Sequence, residues 1–199
     1  SAASDVYKRQ APQRPYHPTY HPYTWKGWYD FGTGALGEIG CHTFDPAYMA
    51  LKLGDPESIE ACATPGNQET YPLASIVRYQ FPARGEMPPV TLTWYDGGLR
   101  PPRSGDFEPE REFNQPNGAL FKGDKASLLC GMYGDSPRII PETKMRAYTR
   151  PPQTLSRSIG HQAEWVQACK DGSTPGANFT YAAKLTELVL LGCIAQRLP

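Results

Sequence analysis

The sequence predicts an α+β fold: an open, mainly antiparallel β-sheet with helices packed on one face. Three observations carry that expectation. Strand patterns follow one another through the middle of the chain without helices between them, as in sheets built from hairpins and meanders. Helical patterns lie within 32–53, after its glycines, and over 161–170 and 181–197. Finally, 21 prolines and 19 glycines demand long irregular connections, and 12 tyrosines and 4 tryptophans suit half-buried sheet surfaces.

Residues 1–10 lack an initiator Met and the apolar core of a signal peptide. They read as an adapter or cloning scar, or as a disordered terminus, which leaves 11–199 as the folding domain. The X-Pro steps of Arg14-Pro15-Tyr16-His17-Pro18 and Tyr20-His21-Pro22-Tyr23 disfavour helix. An extended arm that docks its rings on the body is expected there. Gly32-Thr33-Gly34 permits a tight turn, and a helix follows until Gly54 and Pro56 stop it. Leu36, Gly40, Thr43, Ala47 and Ala50 would form its small-residue packing side, with Glu38, His42, Asp45 and Met49 opposite.

Strands are expected over 58–63, 73–81 and 90–95. In the last of these Val90, Leu92 and Trp94 share one face, and Thr91, Thr93 and Tyr95 the other. Residues 97–117 read as a polar loop. Strands over 119–121 and 127–130 flank Gly123-Asp124-Lys125, a hairpin signal. A short strand over 138–140 and an irregular basic stretch over 141–157 follow. The last helix carries Leu185, Leu188, Gly192 and Ala195 on one stripe, widened by Val189 and Leu191.

Lys plus Arg and Asp plus Glu both number 20, so no basic footprint for nucleic acid is present. No apolar run reaches the length of a membrane helix, and both a cytoplasmic and an exported location fit. Cys41, Cys62, Cys130, Cys169 and Cys193 contain no CxxC spacing. They are expected to be mostly small buried hydrophobes, not a zinc knuckle.

Glu38 and His42 stand four apart, so they are neighbours on a helix surface and each can tune the other's proton affinity. By spacing alone a solvated polar face is the simpler account. Trp28 and Asp30, nearest the helix start, join Asp45 as candidate substrate contacts, because sugar rings stack on aromatics and their hydroxyls bond charged groups. A docked arm explains His17 and His21 at least as well. His161 and Glu164, three apart, could join Glu38 and His42 around a metal, but no further ligand cluster supports this and no metal site is expected. There is no G-x-S-x-G elbow. No G-x-G-x-x-G opens a βαβ unit, so the chain itself is expected to bind no nucleotide. Lys26 and Lys125 read as surface charges.

The run Trp25-Lys26-Gly27-Trp28-Tyr29-Asp30-Phe31-Gly32-Thr33-Gly34-Ala35-Leu36-Gly37-Glu38-Ile39-Gly40-Cys41-His42-Thr43-Phe44-Asp45-Pro46 resembles the active-site helix and lead-in of the Gfo/Idh/MocA oxidoreductases, in particular their bacterial-type branch. Phe81-Pro82-Ala83-Arg84-Gly85, Met87-Pro88-Pro89-Val90, Leu92-Thr93-Trp94-Tyr95-Asp96-Gly97-Gly98, Gly123-Asp124-Lys125 and His161-Gln162-Ala163-Glu164-Trp165 extend the resemblance in order over about 11–199.

The resemblance implies a C-terminal substrate and oligomerisation domain, truncated at both ends, whose N-terminal Rossmann domain precedes it. It implies that the parent uses NAD or NADP to oxidise or reduce a sugar, polyol or related hydroxyl compound. His42 would take or relay the hydroxyl proton. Glu38, where the family more often has Asp, would orient or polarise it. A homo-oligomer through the sheet face is expected. Two alternatives remain open: an NAD-dependent glycosidase working by oxidation and elimination, and a non-catalytic carbohydrate-binding or assembly module.

Overall fold

Alternation of apolar and polar residues places the strands, and the computed structural model describes residues 11–113 and 117–198. Residues 1–10, read above as a scar or disordered terminus, lie outside that range. Two compact units emerge, one formed by Ser1–Pro102 with Glu187–Pro199, the other by Arg103–Thr186. The strands form two antiparallel sheets of three, in the orders β1-β2-β3 and β4-β5-β6. The α+β class stands, with the strands divided between the two sheets by the long polar link after β3.

In the first unit β1 (Ser58–Ala63), β2 (Ser75–Phe81) and β3 (Val90–Tyr95) pair in sequence order. Val77 lies opposite Trp94, and Tyr79 opposite Leu92 and Ile59. The period of two therefore buries Val77, Tyr79 and Phe81 and exposes Arg78 and Gln80. Helix α1 (Gly34–Ala50) lays Leu36, Gly40, Phe44 and Ala47 into this core. The expected small-residue stripe needs correction. Ala50 is exposed and Thr43 only half-buried, because they share one edge of the stripe and the helix is turned toward the other edge, where the large apolar ring of Phe44 has most to gain from burial. Phe44 meets Tyr79 edge-on at 5.5 Å between centroids and Trp94 at 5.8 Å, a favoured aromatic geometry.

The last turns of α4 (Phe179–Ala195) complete this core. Gly192 lies so close to β2 and α1 that a Cβ there would sit inside the Tyr79 hydroxyl oxygen and 2.7 Å from Leu36 Cδ2. The Tyr79 hydroxyl is buried without a hydrogen-bond partner among the described residues. Burial raises its proton affinity well above that of a free phenol, so it stays neutral. Buried Ser75 is fully bonded by contrast. Its N–H and Oγ donate to Asp96 Oδ1 at 2.5 and 2.9 Å, and its Oγ accepts from Gln196 Nε2 at 2.6 Å. The Trp94 indole N–H donates to the other Asp96 oxygen at 2.8 Å. One carboxylate thus ties the start of β2 to the end of β3, and through Ser75 to the end of the chain.

In the second unit β4 (Gly118–Lys122), β5 (Ser127–Gly131) and β6 (Arg138–Ile140) form the sheet, with α2 (Glu142–Ala147) and α3 (His161–Asp171) following. Helix α2 falls in a stretch expected to be irregular. Its six residues are too few to show a period, and it is anchored by the Glu142 N–H donating to Glu108 Oε1 at 2.5 Å. Arg111 binds Glu108 and reaches Glu142 at 3.4 Å, and Arg138 pairs with Glu142 as well. The Arg111 hydrogen bond, helped by the Glu142 N–H, pulls the Glu108 carboxyl down to about 2. Buried Ser127 donates to Asp106 at 2.7 Å. Helix α3 ends at Gly172 in the left-handed conformation, φ 74°, as a glycine stop should.

Two outcomes test this packing. Phe44→Ala removes a buried ring and should cost about 3–5 kcal/mol, read as a lower urea midpoint in equilibrium unfolding. Glu108 has its acidity increased in the folded state, so its contribution is present above the ordinary carboxyl value and fades as pH falls from there towards about 2. Glu108→Gln should therefore melt below wild type at neutral pH. The two melting temperatures should converge as pH is lowered through that window.

Candidate active site

The arm before α1 is not simply extended: it contains two 3-10 turns, Pro18–Tyr20 and Thr24–Gly27. His17 caps the first, its Nδ1 accepting from the Thr19 N–H at 3.2 Å. The second is locked to the strand-like segment near Thr70. The Tyr71 N–H donates to the Gly27 carbonyl at 2.9 Å and the Tyr29 N–H to the Glu69 carbonyl at 2.8 Å. The turn into α1 then depends on missing side chains. A Cβ on Gly32 would strike the Lys26 carbonyl and lie 2.6 Å from the Lys26 Cα. Gly34 has φ +67° and would place a Cβ 2.7 Å from the Tyr71 ring.

This close approach brings the Lys26 ammonium onto the Glu38 carboxylate Oε1. Lys26 is therefore not the surface charge the sequence suggested: it is the ion-pair partner of the first candidate site residue. Their side chains are only 22% and 33% exposed, so water competes less than at an open surface. The ammonium also lies 3.9 Å from the Tyr23 ring centroid. His42 follows one helical turn after Glu38 and is exposed, and Asp45, three residues further, is half-exposed. Pro46 interrupts the ladder at this point, because it has no N–H to offer the carbonyl of residue 42.

Trp28 and Asp30 are brought together by Arg14, a residue sequence reasoning did not single out. Its guanidinium lies 3.4 Å from Asp30 and 3.6 Å from Glu69. It also stands 5.8 Å from the ring centroids of Trp28 and Phe31 and 5.9 Å from that of Tyr20. Tyr20 meets Trp28 edge-on at 4.9 Å. The two nominated sugar contacts thus have structural partners in the arm itself.

At the helix start, burial pushes the Tyr71 phenol up to about 12, with Cys193 adding to the shift and Arg197 opposing it. Burial likewise pushes the Cys193 thiol up to about 11, and the thiol donates to the Thr33 carbonyl at 3.4 Å. Both groups stay protonated at neutral pH, so neither supplies a base or nucleophile there.

The glycine turn does not fit a dinucleotide. A 3-10 turn, one isolated bridge residue (Trp28) and a hydrogen-bonded turn, not a strand, precede it, and the room left by Gly32 and Gly34 is filled by Lys26 and Tyr71 instead of standing open to a pyrophosphate. Among the described residues no group of three or more His, Cys, Asp or Glu is placed to hold a metal ion. No described helix is long and apolar enough to cross a membrane. In the second unit Glu164 accepts from the Gly176 N–H at 3.1 Å. The Ser158 hydroxyl and this N–H hold its carboxyl below the usual range.

Gly32→Ala should force the Lys26 backbone away and break the pair with Glu38. The expected readout is a lower melting temperature, together with loss of the Lys26 to Glu38 cross-peaks in nuclear Overhauser spectra.

Comparison with known proteins matches residues 3–82 to the model of the oxidoreductase family, C-terminal alpha/beta domain. No curated protein matches the chain. The matched stretch is less than half of the 199 residues, and it contains the arm, the glycine turn, α1, β1 and β2. Over that stretch the sequence is similar to the C-terminal domain of the Gfo/Idh/MocA oxidoreductase family.

Proposed function

We propose that this chain provides the proton-transfer side of an oxidoreductase acting on a hydroxyl group of a sugar, polyol or related compound. The observation that carries this is the Glu38–His42 pair on one turn of α1, with its carboxylate fixed by Lys26 beside the aromatic arm. Oxidation of a carbinol removes a hydride from carbon and a proton from oxygen. In this proposal an imidazole nitrogen of His42 takes the hydroxyl proton, or returns it in the reverse direction, and Glu38 orients the ring. Asp45, Trp28 and Asp30 are the candidates for binding the remaining hydroxyls. The electron acceptor, NAD or NADP, belongs in this reading to a separate nucleotide-binding domain, since the glycines here do not fit it.

The test is turnover of the full-length protein, followed as reduction of NAD or NADP across a panel of hexoses, inositols and sugar alcohols. Folded His42→Asn should lose roughly a hundredfold or more, the usual contribution of a positioned acid–base group, and one limb of the wild-type pH–rate profile should vanish. Glu38→Asp should be tolerated far better than Glu38→Gln. Near-wild-type turnover in His42→Asn, with unchanged circular dichroism, would make α1 a scaffold only. Release of an aglycone without net cofactor reduction would redirect the reading to a glycosidase.

A further inference from the structure

We infer that Lys26 is a positioning residue: it holds the Glu38 carboxylate in the orientation from which Glu38 can align His42. This rests on the proposed role of Glu38 and His42 as the proton-transfer pair.

The ion pair links side chains 12 residues apart, one on the second 3-10 turn and one on α1. A surface pair of long side chains would spend its Coulomb gain on lost rotamer freedom. Three features make this pair different. The Lys26 backbone is clamped, because Gly32 lets its carbonyl and Cα approach and the neighbouring Gly27 carbonyl is bonded by Tyr71. The ammonium also lies 3.9 Å from the Tyr23 ring centroid, an attraction of cation to aromatic face. Both partners are largely shielded from water. Glutamate has three side-chain torsions, and an unrestrained carboxylate on a helix surface would sample many positions relative to an imidazole four residues on. Lys26 restricts that sampling from outside the helix. An arrangement anchored through the glycine turn therefore controls a group on α1 without itself touching the reacting atoms.

The expected effects follow from acting through another residue. In full-length protein, with the hexose or polyol that wild type oxidises fastest, Lys26→Met should lower kcat roughly tenfold or more, as misplacing a catalytic group does. It should do so with native circular dichroism. Lys26→Arg, which keeps a donor cation on a long stem, should recover most of the loss. In a Glu38→Gln background Lys26→Met should cost less than about twofold further, because its target is already gone. A second measurement stands apart from turnover: the 13C resonance of the Glu38 carboxylate should move in Lys26→Gln and stay close to wild type in Lys26→Arg.

A loss from Lys26→Met of equal size in both backgrounds would overturn the inference, since a merely structural lysine behaves that way. So would an unmoved carboxylate resonance in Lys26→Gln. Wild-type kcat in folded Lys26→Met, alongside a large loss in His42→Asn, would sink the role of Lys26 and leave the proton-transfer site standing. A silent His42→Asn would instead remove that site.

Discussion

The packing of α1 against the first sheet is the constraint on which the rest depends. Phe44 stands edge-on to Tyr79 and Trp94, Leu36 is buried, and Gly192 brings the end of α4 against both Leu36 and Tyr79. With the helix fixed on that side by apolar contact, its opposite side is fixed by geometry. Residues four apart share a face, so Glu38, His42 and Asp45 turn away from the buried stripe. The core therefore does two things at once. It supplies stability, and it decides which side chains are left to meet a ligand.

The glycine turn adds a charge to this placement. Its glycines are not there to cradle phosphate; they admit the Lys26 backbone and the Tyr71 ring. The same residues that make the turn tight bring a cation to a carboxylate. Asp96 plays a comparable part at the start of β2 and the end of β3, where one carboxylate satisfies Ser75 and the Trp94 indole. Buried polar groups in this unit are mostly paired, in keeping with the cost of leaving them bare. Among the described residues the Tyr79 hydroxyl is the exception.

What the sequence disclosed follows from the range of the interaction involved. The strands over 58–63 and 90–95 and the start of the helix at 161 were legible, because alternation and glycine stops act within a few residues. The motif around Glu38 and His42 was legible through its resemblance to a family, and the family match covers that stretch. The buried stripe of α1 was read with too much weight on small residues. Thr43 and Ala50 were chosen where Phe44 does the filling, since periodicity alone cannot rank neighbouring positions by size. Helix α2 was missed because its anchor, Glu108, lies 34 residues upstream of Glu142. Lys26 was misjudged for a similar reason: its partner is 12 residues away across a turn, and no local pattern records the pairing. Arg14 escaped notice because an arginine among prolines looks like a solvated arm until its rings and carboxylates are seen around it.

The meeting of Gly192 with Tyr79 has a bearing on how such a domain can change over generations. A methyl at 192 would collide with the phenol oxygen, and the phenol already fills its space without a bonding partner. Neither position can drift by itself toward a larger side chain. A bulkier residue at 192 becomes admissible only after position 79 has given up its hydroxyl or its ring, whereas the reverse order passes through a misfolded ancestor. The two sites, one on the second strand and one in the last helix, thus behave as a single heritable unit with a preferred order of substitution. Through Leu36, which touches the same spot, that unit extends to the helix that carries His42.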